Sequence, residues 1–273
     1  MRCVFLIILF FCASSYAEIS PITQKIINKA SAKDFNFHGY SGKSFQYKGF
    51  EIKIVSPKVK DEQNRWIWRA RFFGHEPQLD KALLERGFHL VYANVANLFG
   101  SPQAVSRWNK TYDLVTKAGL QKRPVLEGMS RGGLIIYNWA KQNPDKVACI
   151  YADAPVNDIL SWPGGKLSGP GAKNLWPTCL KVYGLTEETA KSAQVSPIHG
   201  LEKLATAKVP LIHVCGANDK VVPINENTDI LAKRYNELGG EIKVISKPGV
   251  GHHPHSLKNP KPILDFILEK GKF

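Results

Sequence analysis

The chain has 273 residues, 44% hydrophobic and 22% charged, a balance that excludes a disordered polymer and fits one large α/β domain with a substantial buried core. Its formal net charge is +14, but the basic residues (among them Lys43, Lys53, Lys58, Lys60, Arg107, Lys122 and Arg123) are scattered and form no run. That pattern argues against nucleic acid, and leaves either an acidic polysaccharide or anionic surface as partner, or simple solubility.

The first residues read as a targeting segment. Arg2 precedes the apolar run Val4 to Phe11, and Ala13-Ser14-Ser15-Tyr16-Ala17 supplies small residues for a signal peptidase, so cleavage is expected after Ala17 and the mature domain spans 18–273. The protein is then periplasmic or extracellular, with a net charge of +13 once Arg2 is gone. The apolar run falls short of the roughly 20 residues a membrane anchor needs. Acylation of Cys12 is disfavoured because bulky Phe11 stands where a small residue is wanted.

Beyond the leader, Phe45 to Val55 alternates with period two around Gly49 and predicts an antiparallel hairpin. "RWIWRARFF" predicts a strand, Pro77 to Arg86 a helix, and "FHLVYANV" a strand; Ser101 to Ala118 predicts a helix with Ser101 as N-cap and Pro102 in its first turn. The alternation continues with "RPVLEGM" (strand), Ser130 to Gln142 (helix), "KVACIYAD" and "VPLIHVCG" (strands), Asn225 to Leu238 (helix), "EIKVISKP" (strand) and Pro260 to Lys270 (helix). Continuous apolar strands separated by helices imply a mostly parallel, doubly wound sheet covered on both faces.

One segment breaks the pattern. "NDILSWPGGKLSGPGAKNLWPTC", in an insertion at about 156–186, has too many glycines and prolines for a long helix, and reads as a lid over the active-site end of the sheet or as a surface loop. The cysteines left in the mature chain, Cys149, Cys179 and Cys215, make no disulfide framework and no metal-type spacing.

The chemistry centres on "EGMSRGG". Gly128-Met129-Ser130-Arg131-Gly132 fits G-x-S-x-G, in which a serine sits on a sharp strand-to-helix turn and the glycines let strand and helix approach. A serine nucleophile needs a base, and the base an acid to hold its tautomer. Asp219 follows "VPLIHVCGAN" at a strand end, and His252 lies in "PGVGHHPHS" after the last strand, which gives the chain order Ser, Asp, His expected for this turn. Asp153 in "YADAP" is the alternative acid, and His253 or His255 could shape the substrate site. The HHxH spacing permits a metal, but no carboxylate or cysteine stands nearby in sequence, so neither metal nor cofactor is expected. For the oxyanion, one backbone donor should be Arg131 and the second Arg71 or Phe72. Arg69, Arg71 and Arg131 could meet substrate carboxylates, and Trp162 and Trp176 could offer flat faces to sugar rings unless they serve packing.

At these residues the chain resembles the α/β-hydrolase superfamily from about Phe45 onward. More narrowly, "FFGHEPQLDKALLERGFHLVYANVANLFGSP", "EGMSRGG", "YADAPV" and "GVGHHPHS" resemble exported bacterial esterases that include pectin methylesterases. The resemblance implies an acyl-enzyme mechanism on esters of a uronate-rich polysaccharide. Acetyl-xylan esterase, small-molecule carboxylesterase, peptidase and non-catalytic glycan-binding module are the alternatives, with an oligopeptidase disfavoured by the lack of a large N-terminal propeller-type segment.

Overall fold

The computed structural model describes residues 19–27 and 31–273. The expected signal segment and its cleavage point lie outside the described residues. After a short helix α1 (Pro21–Ile27), the chain runs through β1 (Lys33–Phe37), β2 (Tyr40–Tyr47), β3 (Phe50–Val55), β4 (Trp66–Arg69), α2 (Gln78–Leu84), β5 (His89–Ala93), α3 (Pro102–Ala118), β6 (Val125–Met129), α4 (Gly132–Gln142) and β7 (Cys149–Asp153). It continues with α5 (Trp176–Tyr183), α6 (Glu187–Ala190), α7 (Glu202–Thr206), β8 (Leu211–Gly216), α8 (Thr228–Glu237), β9 (Ile242–Lys247) and α9 (Lys261–Lys270).

The strands form one sheet in the order β1-β2-β3-β5-β4-β6-β7-β8-β9. The pairs from β1 to β5 are antiparallel and all those from β5 onward are parallel, so the expected mostly parallel α/β sheet is present. The predicted hairpin is β2–β3, and β1 extends it as a third strand.

Period two in β4 divides the core. Trp66 and Trp68 point into one layer with Trp108 and Trp139, where Trp68 and Trp108 stack at 3.9 Å between centroids. Ile67 points into the opposite layer, with Leu83, Tyr151 and Ile263. The strand stops at Arg69, shorter than "RWIWRARFF" suggests, and the chain beyond it turns through a left-handed Phe72. At the other edge β9 is half-exposed rather than buried, and Lys243 and Lys247 lie on it, which suits an edge strand.

The Gly/Pro segment forms successive turns without a helix until α5, then packs on the domain. Val156, Ile159, Trp176 and Cys179 make a third apolar cluster with Phe99 and Leu134. Ser101 does stand at the N-cap of α3, but its side chain caps nothing. Cys149, Cys179 and Cys215 are buried free thiols. Among the described residues, no helix is long and apolar enough to cross a membrane.

Candidate active site

Three parallel strands deliver the site at their carboxyl ends. Directly after β6, Ser130 adopts a left-handed backbone (φ 49°) that an L-residue holds only when its surroundings enforce it. Here they do: Ser130 N–H donates to the Asp153 carbonyl at 2.8 Å, and the Ser130 carbonyl accepts from Gly133 and Val156 N–H, both at 2.9 Å. The flanking glycine is required by contact. A Cβ on Gly128 would sit 2.8 Å from backbone atoms of Gly132 and 2.7 Å from Ile136, so any larger residue would separate strand from helix.

The turn aims the serine hydroxyl at the loop that follows β9. His252 Nε2 lies 3.0 Å from Ser130 Oγ, and His252 Nδ1 lies 2.7 Å from Asp219 Oδ2 in the loop after β8. With a carboxylate on Nδ1, the imidazole carries its proton there, and Nε2 accepts from the serine. Burial alone would push the Asp219 carboxyl up. The hydrogen bond from His252 and those from Val222 and Val221 N–H outweigh it and hold Asp219 below the ordinary carboxylate range, so it stays ionised.

The rival acid has other partners. Asp153 Oδ1 pairs with His255 Nδ1 at 2.6 Å, and its Oδ2 accepts from Tyr151 Oη and Ser256 N–H. It is therefore not the acid for His252, because both its oxygens are committed to a separate buried group.

The loop after β4 closes the other side. A Cβ on Gly132 would lie 3.8 Å from the Arg71 nitrogen, and among the described residues neither Arg71 nor Arg131 N–H makes a backbone hydrogen bond. Phe72 contributes its ring, which lies beneath the guanidinium groups of Arg71 and Arg131 at 5.1 and 5.7 Å.

The three arginines expected to meet substrate carboxylates have different fates. Arg69 is 1% exposed and points away from any substrate. Its guanidinium pairs with Asp80 and Glu127 and donates to the carbonyls of Arg71, Phe72 and His75. The expectation that Arg69 binds substrate is thus corrected: it is the internal brace of the oxyanion-side loop. Burial, together with the nearby charge of Asp80, keeps the Glu127 carboxyl well above its usual range despite Arg69. Arg71 and Arg131, by contrast, border a small cleft with Asn97, Phe99 and Ile135. Neither has a carboxylate partner among the described residues, and Arg71 Nε is buried with no hydrogen bond there. Burial and then repulsion from Arg71 lower Arg131 to about 10, still charged at neutral pH.

The two tryptophans separate likewise. Trp162 is half-buried at the cleft, 6.2 Å from Phe99 and 5.8 Å from the Arg131 guanidinium. Trp176 is buried and its Nε1 donates to Glu187, so it packs the segment down rather than offering a sugar platform. His253 is exposed at the rim, its ring 5.0 Å from His252. Sequence reasoning missed His75, whose ring flanks His253 and His255, and Asn97, which accepts from Arg131. Both lie in the stretch from Phe72 to Pro102 that carries the resemblance, but nothing local in that stretch assigns either of them to the site.

A serine on a strained strand-to-helix turn, an imidazole on its hydroxyl and a carboxylate on that imidazole, all at one end of a mostly parallel sheet, define a serine hydrolase of the α/β-hydrolase fold. The chain belongs to the prolyl oligopeptidase family, whose profile matches residues 112–272. Among solved structures it is similar to an acylaminoacyl peptidase from Pyrococcus horikoshii, with a TM-score of 0.64 and 15% identity over 89% of this chain and 42% of that one. A puromycin-hydrolyzing peptidase from Mycobacterium tuberculosis matches with a TM-score of 0.60 and 13% identity, covering 82% of this chain and 36% of that one. At such identities the likeness is one of fold, and the chain spans about two fifths or less of the proteins it matches. No curated protein matches the sequence.

Proposed function

We propose that Ser130, His252 and Asp219 are the catalytic triad of an exported acyl hydrolase acting on esters of an anionic, uronate-rich polysaccharide, methyl esters first. The observation that carries the substrate class is the pair Arg71 and Arg131, two guanidinium groups lining one small cleft with no carboxylate partner among the described residues. Guanidinium binds carboxylate in a planar fork, and the free uronates next to a scissile ester would supply that partner.

Ser130 Oγ attacks the ester carbonyl while His252 Nε2 takes its proton, and Asp219 steadies the imidazolium. The negative oxygen faces the backbone N–H of Arg131 and of Arg71, which Gly132 packs against; one such donor is worth roughly 3 kcal/mol in the transition state. His252 returns the proton to the leaving alcohol, and water then cleaves the acyl-enzyme by the same steps. No metal or organic cofactor enters these steps.

Peptide cleavage is the second reading, favoured by membership of the prolyl oligopeptidase family. The test offers purified protein methyl-esterified pectin, acetylated xylan and a neutral N-acyl peptide, with Ser130→Ala as control. Methanol from pectin alone supports the first reading, acetate from xylan alone replaces it with a deacetylase, and peptide cleavage alone establishes the second. In each case Ser130→Ala should lose about 10⁶-fold in kcat.

A further inference from the structure

Beside the triad lies a second buried acid–imidazole pair that the acyl-transfer steps do not use. Asp153 accepts from His255 Nδ1 at 2.6 Å just as Asp219 accepts from His252 Nδ1 at 2.7 Å. Each carboxylate fixes its imidazole with the Nε2 lone pair turned away from the acid. The two rings meet edge to face with centroids 4.8 Å apart, and the exposed His253 ring stands 5.0 and 4.7 Å from them. One ring nitrogen from each of the three lies within 4.8 Å of the others.

A metal-binding histidine almost always gives its other N–H to a carboxylate, which sets ring orientation and raises basicity. His252 and His255 are both held in this way, by acids that come from the ends of two different strands. Those carboxylates also place negative charge behind the rings, where a dication would meet it.

We propose that His252, His253 and His255 bind one transition-metal ion of the Zn²⁺ class, and that the ion silences the hydrolase by occupying the Nε2 lone pair that otherwise accepts the Ser130 proton. Three imidazoles with water or Ser130 Oγ in the fourth position suit tetrahedral Zn²⁺, whereas Mg²⁺ and Ca²⁺ want oxygen ligands. Bonds of about 2.1 Å place ligand nitrogens roughly 3.4 Å apart, so nitrogens up to 4.8 Å apart must close by up to about 1.4 Å. His253 is exposed and supplies that movement by turning its side chain. Binding makes no covalent change; any proton carried by His252 Nε2 is released to solvent.

The silencing half of the proposal rests on the triad reading; the binding half does not. Zn²⁺ is therefore titrated by calorimetry into metal-stripped Ser130→Ala protein, and separately into wild type while fluorophosphonate labelling of Ser130 is timed. The expected result is one Zn²⁺ per chain and labelling slowed at least about tenfold, restored by EDTA and not produced by Mg²⁺. His253→Ala, an exposed change, should weaken binding at least tenfold, and Asp153→Asn, checked for folding by circular dichroism, by about 10–100-fold. No binding up to about 1 mM, or equal affinity in His253→Ala, overturns the site. Binding without slowed labelling overturns His252 as a ligand, and a wild type that never labels indicts the triad reading instead.

Discussion

Arg71 and Arg131 border the same cleft, share the ring of Phe72 and meet no carboxylate among the described residues. Each side chain can be tested apart from its backbone N–H. Arg71→Gln and Arg131→Gln should each raise KM for a partly esterified pectin roughly tenfold, since a hydrogen bond to a charged group contributes about 1.5–3 kcal/mol. A neutral chromogenic ester should change by about twofold or less, and added salt should mimic the mutations only for pectin. Equal losses on both substrates would remove the arginines from charge recognition.

Arg69 is expected to matter to stability rather than to substrate. Arg69→Met leaves Asp80 buried without its counter-ion and frees the carbonyls of Arg71, Phe72 and His75, at a cost of about 3–5 kcal/mol in chemical denaturation. Replacing Arg69, Asp80 and Glu127 together by apolar residues should recover most of that loss, because no buried charge then remains. A single mutant as stable as wild type would show that the brace is dispensable.

Gly216 couples the last two strands to the histidine loop. A Cβ there would fall 2.0 Å from the Gly251 carbonyl oxygen and 2.5 Å from that of Val250, immediately before His252. Gly216→Ala should push the loop outward and lower kcat about 100-fold, the scale of a 1 Å misplacement, with a smaller change in KM. Steady-state kinetics check this, and unchanged kcat would mean that the loop adapts.

Acid should unfold the protein through two buried histidines away from the site. Burial holds His89 down to about 4 and His213 down to about 3. The unfolded chain protonates near pH 6.5. Between pH 6.5 and about 4 the unfolded state therefore binds more protons, so stability is full above pH 6.5 and falls as pH drops, by roughly 1.4 kcal/mol per unit for each histidine. His213→Gln should flatten the dependence of the urea midpoint on pH over this window. A slope unchanged by His213→Gln would count against the buried neutral imidazole.

The serine, imidazole and carboxylate that the fold brings into one hydrogen-bonded row were legible because local chemistry marks each one. G-x-S-x-G between an apolar strand and a helix requires a strained turn, and Asp219 and His252 follow strand ends in the expected order. The mostly parallel sheet was legible for a similar reason, since its central strands are apolar on both faces. Other assignments depended on partners that only folding supplies. Arg69 and Arg71 read alike in sequence, but Arg69 lies on the strand in phase with Ile67 and finds Glu127 58 residues away, whereas Arg71 lies past the strand end. Trp162 and Trp176 flank the same Gly/Pro tract, and only the packing of that tract on the domain buries Trp176 and leaves Trp162 half-exposed. Asp153 and Asp219 both end parallel strands; the path of the loop from Gly251 to Ser256 gives Asp219 to His252 and Asp153 to His255, 102 residues distant. The sequence by itself determined which chemical groups stand at the ends of the strands. The tertiary structure alone decided how they pair, because a hydrogen bond or a counter-ion is a relation between distant segments that no local pattern encodes.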